Sequence, residues 1–231
     1  HLGNRAVMNV LPYQLDPALQ ALRQPRQRIL IADAVGLCKT LEAGILATEL
    51  IQRGRGRRIM VITQKSMLTQ FQKEFWTRFS IPLTRLDSAG IQRVRRHLPA
   101  NHNPFHYYDK TIISIDTLKR DTEYRHYLEN ASWDIIVIDE AHHAIAGTWA
   151  NVISYWPDSL LLGVTATPIR QDGRGLGAMF DRLVLGPSTA DLMAAGHLTQ
   201  VKLYAPPQVA DLTCIRTRAG DYANDQAAAA M

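Results

Sequence analysis

Short apolar runs rich in β-branched residues alternate along this chain with segments of helical periodicity. The runs have four or five residues each and lie at 28–32, 58–62, 111–114, 134–138 and 160–164. Strands that are buried on both faces have this continuous composition. Between the runs, residues 40–52 and 66–79 place apolar side chains at helical spacing. The pattern predicts an α/β fold with a doubly wound, mostly parallel sheet, whose ligands bind at the carboxyl ends of the strands.

The charges are unevenly distributed along the chain. Residues 1–100 carry 16 Lys and Arg against 6 Asp and Glu, whereas residues 101–231 carry 10 against 15. Twenty of the 26 basic residues are arginine, whose planar guanidinium matches phosphate oxygens in a bidentate way. A basic half of this kind indicates an anionic partner such as nucleic acid, although the same charge could serve solubility alone.

Composition argues against secreted and membrane proteins. The longest apolar run, at 227–231, has five residues, far fewer than the roughly 20 that span a membrane. Only two cysteines occur, Cys38 and Cys214, and no charged-then-apolar leader opens the sequence. We therefore expect a soluble protein of the cytoplasm.

The segment 33–40, Asp-Ala-Val-Gly-Leu-Cys-Lys-Thr, joins the first strand to the following helix. A phosphate-binding loop requires this context, because N–H groups of the loop and of the helix N-terminus bind the phosphates. A triphosphate also requires a lysine for its β and γ oxygens and a hydroxyl for Mg²⁺. Lys39 and Thr40 stand at those two positions, so we expect ATP and Mg²⁺ to bind here.

Two later strands also end in polar residues. The segment 139–142 is Asp-Glu-Ala-His, and the segment 165–168 is Thr-Ala-Thr-Pro. A carboxylate beside a phosphate loop can hold Mg²⁺ through water, and a second one can orient or deprotonate the attacking water. We assign the first role to Asp139 and the second to Glu140, with Lys39 as the third catalytic residue.

In this order, the three segments resemble motifs I, II and III of the superfamily 2 helicases and translocases, with motif II of the DEAH type. The resemblance implies the first RecA-like lobe of a P-loop NTPase that hydrolyses ATP and moves on nucleic acid, with DNA favoured over RNA. It adds three residues of the loop to the nucleotide site: Gly36, Leu37 and Cys38. It assigns the coupling of hydrolysis to nucleic-acid contact to His142, Thr165 and Thr167.

Weaker matches extend the resemblance toward the N-terminus. Residues 12–14, Pro-Tyr-Gln, are similar to the adenine-reading Gln motif, which implies that Gln14 contacts the nucleotide. Residues 63–66 resemble motif Ia and residues 114–118 resemble motif Ib. The resemblance thereby implies that three side chains of these motifs contact nucleic acid: Lys65, Ser66 and Thr117.

The resemblance also implies a domain organisation. Residues 10–130 are most similar to bacterial Swi/Snf-type translocases, and residues 144–207 to the XPB-like branch. We expect one lobe over 1–205, followed at 206–231 by a connection toward a second RecA-like lobe, since too few residues remain for that lobe. Motifs IV to VI and their arginine finger, worth about 10³–10⁵ in rate in related systems, are then missing. The chain is expected to be an incomplete ATP hydrolase.

Cys38 departs from the motif I pattern, in which the family has glycine. A β-carbon at such a position costs about 1–3 kcal/mol. The alternative function is therefore a nucleic-acid-binding module that does not hydrolyse ATP because its phosphate loop is disabled. ATP binding and turnover of the Cys38→Gly variant discriminate between the two.

Overall fold

The computed structural model describes most residues up to 199 and two short segments beyond. The described residues are 10–23, 28–33, 39–119, 124–141, 153–166, 177, 179–199, 217–218 and 221–222. The chain forms two compact units, His1–Asp191 and Leu192–Met231. The boundary expected at residue 205 lies outside the described residues and stays a prediction.

The first unit contains a seven-stranded sheet, which confirms the predicted α/β class. The strands are β1 (Arg28–Ala32), β2 (Ile59–Thr63), β3 (Thr84–Arg85), β4 (Lys110–Ser114), β5 (Ile135–Asp139), β6 (Leu160–Thr165) and β7 (Arg182–Leu185). Their order across the sheet is β3-β4-β2-β5-β6-β1-β7, and every neighbouring pair is parallel. All carboxyl ends therefore meet at one edge. In the second unit, β8 (Thr217–Arg218) and β9 (Asp221–Tyr222) form an antiparallel pair.

The described helices are α1 (Asp16–Leu22), α2 (Lys39–Gln52), α3 (Leu68–Phe79), α4 (Ser88–Arg95), α5 (Ile115–Lys119), α6 (Arg125–Glu129) and α7 (Thr189–Ala194). Alternate strand residues pack into two cores. Val61 packs with Leu46 of α2 and Phe75 of α3, whereas Met60 packs with Ile91 of α4. Helices thus cover both faces of the sheet, which is why its central strands are continuously apolar. None of the helices in the described part of the chain is long and apolar enough to cross a membrane.

Several element boundaries differ from the prediction. The helix expected at 66–79 begins with a 3-10 turn, Lys65–Met67, before α3 starts at Leu68. Such turns are common at helix N-termini, where several backbone groups lack an α-helical partner. The edge strands β3 and β7 were not predicted, because β3 has only two residues and only Val184 of β7 is buried.

Helix α2 is followed by Gly54, where the chain turns toward β2. The N–H of Gly54 donates to the carbonyl of Ile51 (3.0 Å), and the N–H of Arg55 donates to the carbonyl of Leu50 (2.8 Å). This pair of bonds is a Schellman motif. Gly54 has a φ of 71°, which glycine adopts without steric cost. The arginine-rich segment 53–58 is therefore a turn between α2 and β2, and β2 begins one residue after the start of the predicted run 58–62.

Candidate active site

Four neighbouring strands carry polar residues at the carboxyl edge of the sheet. Thr63 ends β2, Asp139 ends β5, Thr165 ends β6, and Asp33 follows β1. The N–H of Asp33 donates to the carbonyl of Thr165 (3.2 Å), so hydrogen bonding between β1 and β6 continues one residue past the end of β1. Motifs I, II and III, which are far apart in sequence, therefore meet at one edge of the sheet. Thr63, of the segment that resembles motif Ia, lies at the same edge.

The first turn of α2 places Lys39 and Thr40 at the same edge, and both residues are half-buried. Lys39 Nζ donates to the backbone carbonyl of Asp33 (3.4 Å). Its ammonium is also close enough to Asp139 to lower the pKa of that carboxyl. Lys39 thus contacts the end of β1, and its charge acts on the acid at the end of β5. The other loop residues of the site prediction, Gly36, Leu37 and Cys38, lie outside the described residues.

The carboxyl group of Asp139 is buried, and its pKa is raised. Burial is the main cause because it disfavours the charged form, and the nearby charge of Glu140 adds to the increase. The Thr63 hydroxyl donates to Asp139 Oδ2 (2.6 Å) and lowers the pKa, as does Lys39, but by less than burial raises it. A cation bound at Asp139 would favour the ionised form.

Because the pKa of Asp139 is raised in the folded protein, this group lowers the free energy of unfolding at neutral pH. The unfolded chain ionises this group near pH 3.8, so the cost is fully present above the raised folded-state pKa and is lost as the pH falls from that pKa to about 3.8. We expect Asp139→Asn to raise Tm at about pH 7 and the gain to shrink toward about pH 4. Thermal unfolding followed by circular dichroism measures this. Asp158→Asn, at an exposed carboxylate, is the control, and a gain that is independent of pH would contradict the assignment.

Glu140 follows β5 in a left-handed conformation, with a φ of 53°. For a residue other than glycine this conformation costs about 1–2 kcal/mol, and such strain is concentrated at functional sites. The side chain of Glu140 is half-buried beside the buried Asp139. The sequence contains no signal for this conformation, although it places Glu140 at the strand end. His142, assigned to coupling, lies outside the described residues, as does Thr167.

The segment that precedes β1 lines a cavity next to the candidate active site. Gln14 is buried in a 3-10 helix, Pro12–Leu15, and its side-chain oxygen accepts the N–H of Leu11 (2.9 Å). The cavity, of about 240 Å³, has a lining that includes Tyr13, Asp16, Asp33, Glu42, Gly186 and Pro187. Asp33 is 2% exposed, and within the described part of the chain neither of its carboxylate oxygens has a hydrogen-bond partner. The sequence predicts the Gln14 segment, but no sequence signal indicates that Asp33 is buried beside β7.

The residues expected at the nucleic-acid interface differ in exposure. Lys65 and Ser66 are exposed in the 3-10 turn that follows β2. Thr117 is buried, and its hydroxyl lies 2.9 Å from Ser114 Oγ, which also accepts the N–H of Thr117 (3.2 Å). In this structure, Thr117 joins the end of β4 to α5, and its contact with nucleic acid stays a prediction.

A family model described as "Type III restriction enzyme, res subunit" matches residues 7–170, which is most of the chain. The chain belongs to this family. The family comprises the N-terminal lobe of superfamily 2 helicases, so the assignment to the first RecA-like lobe of that superfamily is confirmed.

A relative and two solved structures share this lobe. The RNA polymerase-associated protein RapA of Sodalis glossinidius (strain morsitans) is 33% identical over 186 residues, which cover 77% of this chain and 18% of RapA. The SWI2/SNF2 ATPase core of Sulfolobus solfataricus, solved in complex with dsDNA, has a TM-score of 0.58 at 22% identity, over 75% of this chain and 36% of that one. The UvsW helicase of bacteriophage T4 has a TM-score of 0.56 at 16% identity, over 77% and 60%. The two structures confirm the RecA-like fold, and the chain spans about a fifth of RapA.

Proposed function

We propose that this chain is the ATP-binding lobe of a DEAH-type helicase or translocase that moves on DNA. One observation supports this proposal above the others: Lys39 donates to the carbonyl at the end of β1, and its charge also acts on the buried carboxyl of Asp139. A cation for phosphate oxygens beside an acid for a metal is the arrangement that phosphoryl transfer requires. The family match supports the use of a nucleotide. The complex of the Sulfolobus ATPase core with dsDNA supports DNA as the nucleic acid on which the protein moves.

Each predicted site residue has a role in this proposal. Thr40 and Asp139 would hold Mg²⁺, because both supply the oxygen ligands that this ion prefers. When bound, Mg²⁺ neutralises charge on the β- and γ-phosphates. Lys39 binds those phosphates, Gln14 contacts the adenine, and Glu140 orients the attacking water. His142, Thr165 and Thr167 couple hydrolysis to nucleic acid, which Lys65, Ser66 and Thr117 contact.

The proposed helicase or translocase contains a second RecA-like lobe besides this chain. The chain covers 36% of the Sulfolobus ATPase core and 60% of UvsW, so these proteins contain further structure beyond the matched lobe. We propose that a second lobe supplies the remaining groups of the ATPase site, including the arginine finger. Turnover then requires both lobes, whereas ATP binding requires only this one.

Lys39→Ala tests ATP binding by this chain alone. We expect the Kd for fluorescently labelled Mg-ATP to rise by at least about tenfold, because an ammonium bonded to phosphate contributes about 1.5–3 kcal/mol. Equilibrium titration by anisotropy measures the change. Lys73→Ala is the matched control, since Lys73 is exposed on α3. Equal Kd values for Lys39→Ala and the parent would show that Lys39 does not bind the nucleotide.

The competing function is a nucleic-acid-binding module that does not hydrolyse ATP. The observation that favours it is Cys38, which stands where motif I has glycine. Under this alternative, the parent chain binds no Mg-ATP and Cys38→Gly restores binding. If the parent and Cys38→Gly bind ATP equally well, the alternative is rejected.

A further inference from the structure

Thr63 is a buried hydroxyl residue at the carboxyl edge of the sheet, and the proposed function gives it no role. It ends β2, and its exposed fraction is 0%. Its hydroxyl donates to Asp139 Oδ2 at 2.6 Å, a length typical of a bond between a hydroxyl and a carboxylate. Thr63 thus contacts the proposed metal ligand directly.

The sheet fixes the position of this hydroxyl. Strands β2 and β5 are parallel neighbours, in which Ile62 pairs with Ile138. Thr63 and Asp139 are the next residues of the two strands, so their side chains lie side by side on the same face of the sheet. On its other side, Thr63 pairs with Ser114 of β4, and a β-branched side chain also has a restricted χ1 angle. The Thr63 hydroxyl is therefore a rigid donor beside Asp139.

The Asp139 carboxylate also has contacts besides Thr63. The backbone N–H of Glu140 donates to it, and Lys39 is close enough for its charge to act on it. The bond from Thr63 comes from a neighbouring strand, so it fixes the plane of the carboxylate relative to the sheet. The lone pairs of the carboxylate that Thr63 and Glu140 do not use remain for a cation. This arrangement fits a metal ligand whose orientation is set by a hydrogen bond.

We propose that Thr63 is a positioning residue that holds the Asp139 carboxylate in the orientation in which it binds Mg²⁺. The inference rests on the proposed function, in which Asp139 is a ligand of this ion. Hydrogen-bond partners of metal ligands contribute about 10–100-fold to metal affinity. The alternative is that the hydroxyl only satisfies a buried acid, in which case it stabilises the fold and has no effect on metal binding.

Thr63→Val tests this role, because valine keeps the β-branched shape and removes the hydroxyl. The Kd of the 231-residue chain for fluorescently labelled ATP is measured by anisotropy with saturating Mg²⁺ and again in EDTA. The ratio of the Kd in EDTA to the Kd in Mg²⁺ reports how much the ion strengthens binding. We expect this ratio to exceed about ten in the parent and to fall by about tenfold or more in Thr63→Val. The Kd in EDTA should not change, since the other contacts to the nucleotide remain.

Two further variants isolate the hydroxyl and its place in the sheet. Thr63→Ser keeps the hydroxyl and should retain the ratio of the parent. Thr111→Val is the matched control, since Thr111 is 1% exposed but lies near the start of β4, toward the opposite edge of the sheet. It should also retain the ratio. A decrease in either variant equal to that of Thr63→Val would overturn the inference.

The remaining outcomes separate this inference from the proposed function. If the ratio of Thr63→Val equals that of the parent, or if the Kd rises equally in Mg²⁺ and in EDTA, Thr63 has a structural role and the inference alone fails. If the parent binds labelled ATP in neither condition, or if Mg²⁺ does not strengthen its binding, the proposed roles of the nucleotide site fail together with this one.

Discussion

Glu140→Gln is expected to lower ATP turnover by about 10²–10⁴-fold and to leave ATP binding unchanged. The substitution removes the carboxylate proposed to orient or deprotonate the attacking water, and losses of this size are typical of a missing general base. Asp139, the proposed metal ligand, and Lys39 remain, so the nucleotide is still held. Phosphate release measures turnover in a protein in which this chain is joined to a second RecA-like lobe, and anisotropy measures ATP affinity.

The matched control is Glu129→Gln, which changes an exposed glutamate on α6. It should retain the turnover of the parent. If turnover of Glu140→Gln stays within about tenfold of the parent, Glu140 is not the water-orienting acid. If ATP binding is lost as well, the left-handed backbone at Glu140, with its φ of 53°, supports the site itself and the assignment needs revision.

Gly186→Ala is expected to lower the free energy of unfolding by about 1–3 kcal/mol, the usual cost of overpacking. Gly186 follows β7, and a β-carbon at this position would overlap Oδ1 of the buried Asp33. The N–H of Asp33 is bonded to Thr165, which fixes its backbone, so only a shift of its side chain within the cavity can relieve the overlap. For a chain of this size the change corresponds to a decrease in Tm of about 2–12 °C. Thermal unfolding measures it directly.

A double-mutant cycle assigns the effect to this contact. In the Asp33→Ala background the overlapping oxygen is gone, so Gly186→Ala should cost much less, with a coupling energy of about 0.5–3 kcal/mol. Gly177→Ala is the control, since a β-carbon there meets no atom of the described residues within 4 Å. Equal costs of Gly186→Ala in both backgrounds would show that the strain arises elsewhere.

The central strands were predictable because their composition reflects burial on two faces. Ile135 to Ile138 are continuously apolar, and the strand they begin is buried along its whole length between two helical layers. Strand β7 was not predicted, because a strand at the edge of a sheet does not have to be apolar on both faces. Leu183 and Leu185 are 47% and 66% exposed there, so an apolar run alone does not show where a strand lies in the sheet.

The sequence by itself determined the fold class and the positions of Lys39, Thr40, Asp139 and Glu140, because strand–loop–helix spacing and polar strand ends are local patterns. Only the tertiary structure decided which of these groups meet. The bond from Thr63 to Asp139 spans 76 residues, and it forms because β2 and β5 are neighbours in the sheet. Burial by the surrounding core is likewise what raises the pKa of Asp139. Strand order and burial depend on packing across the whole sheet, and no local pattern encodes them.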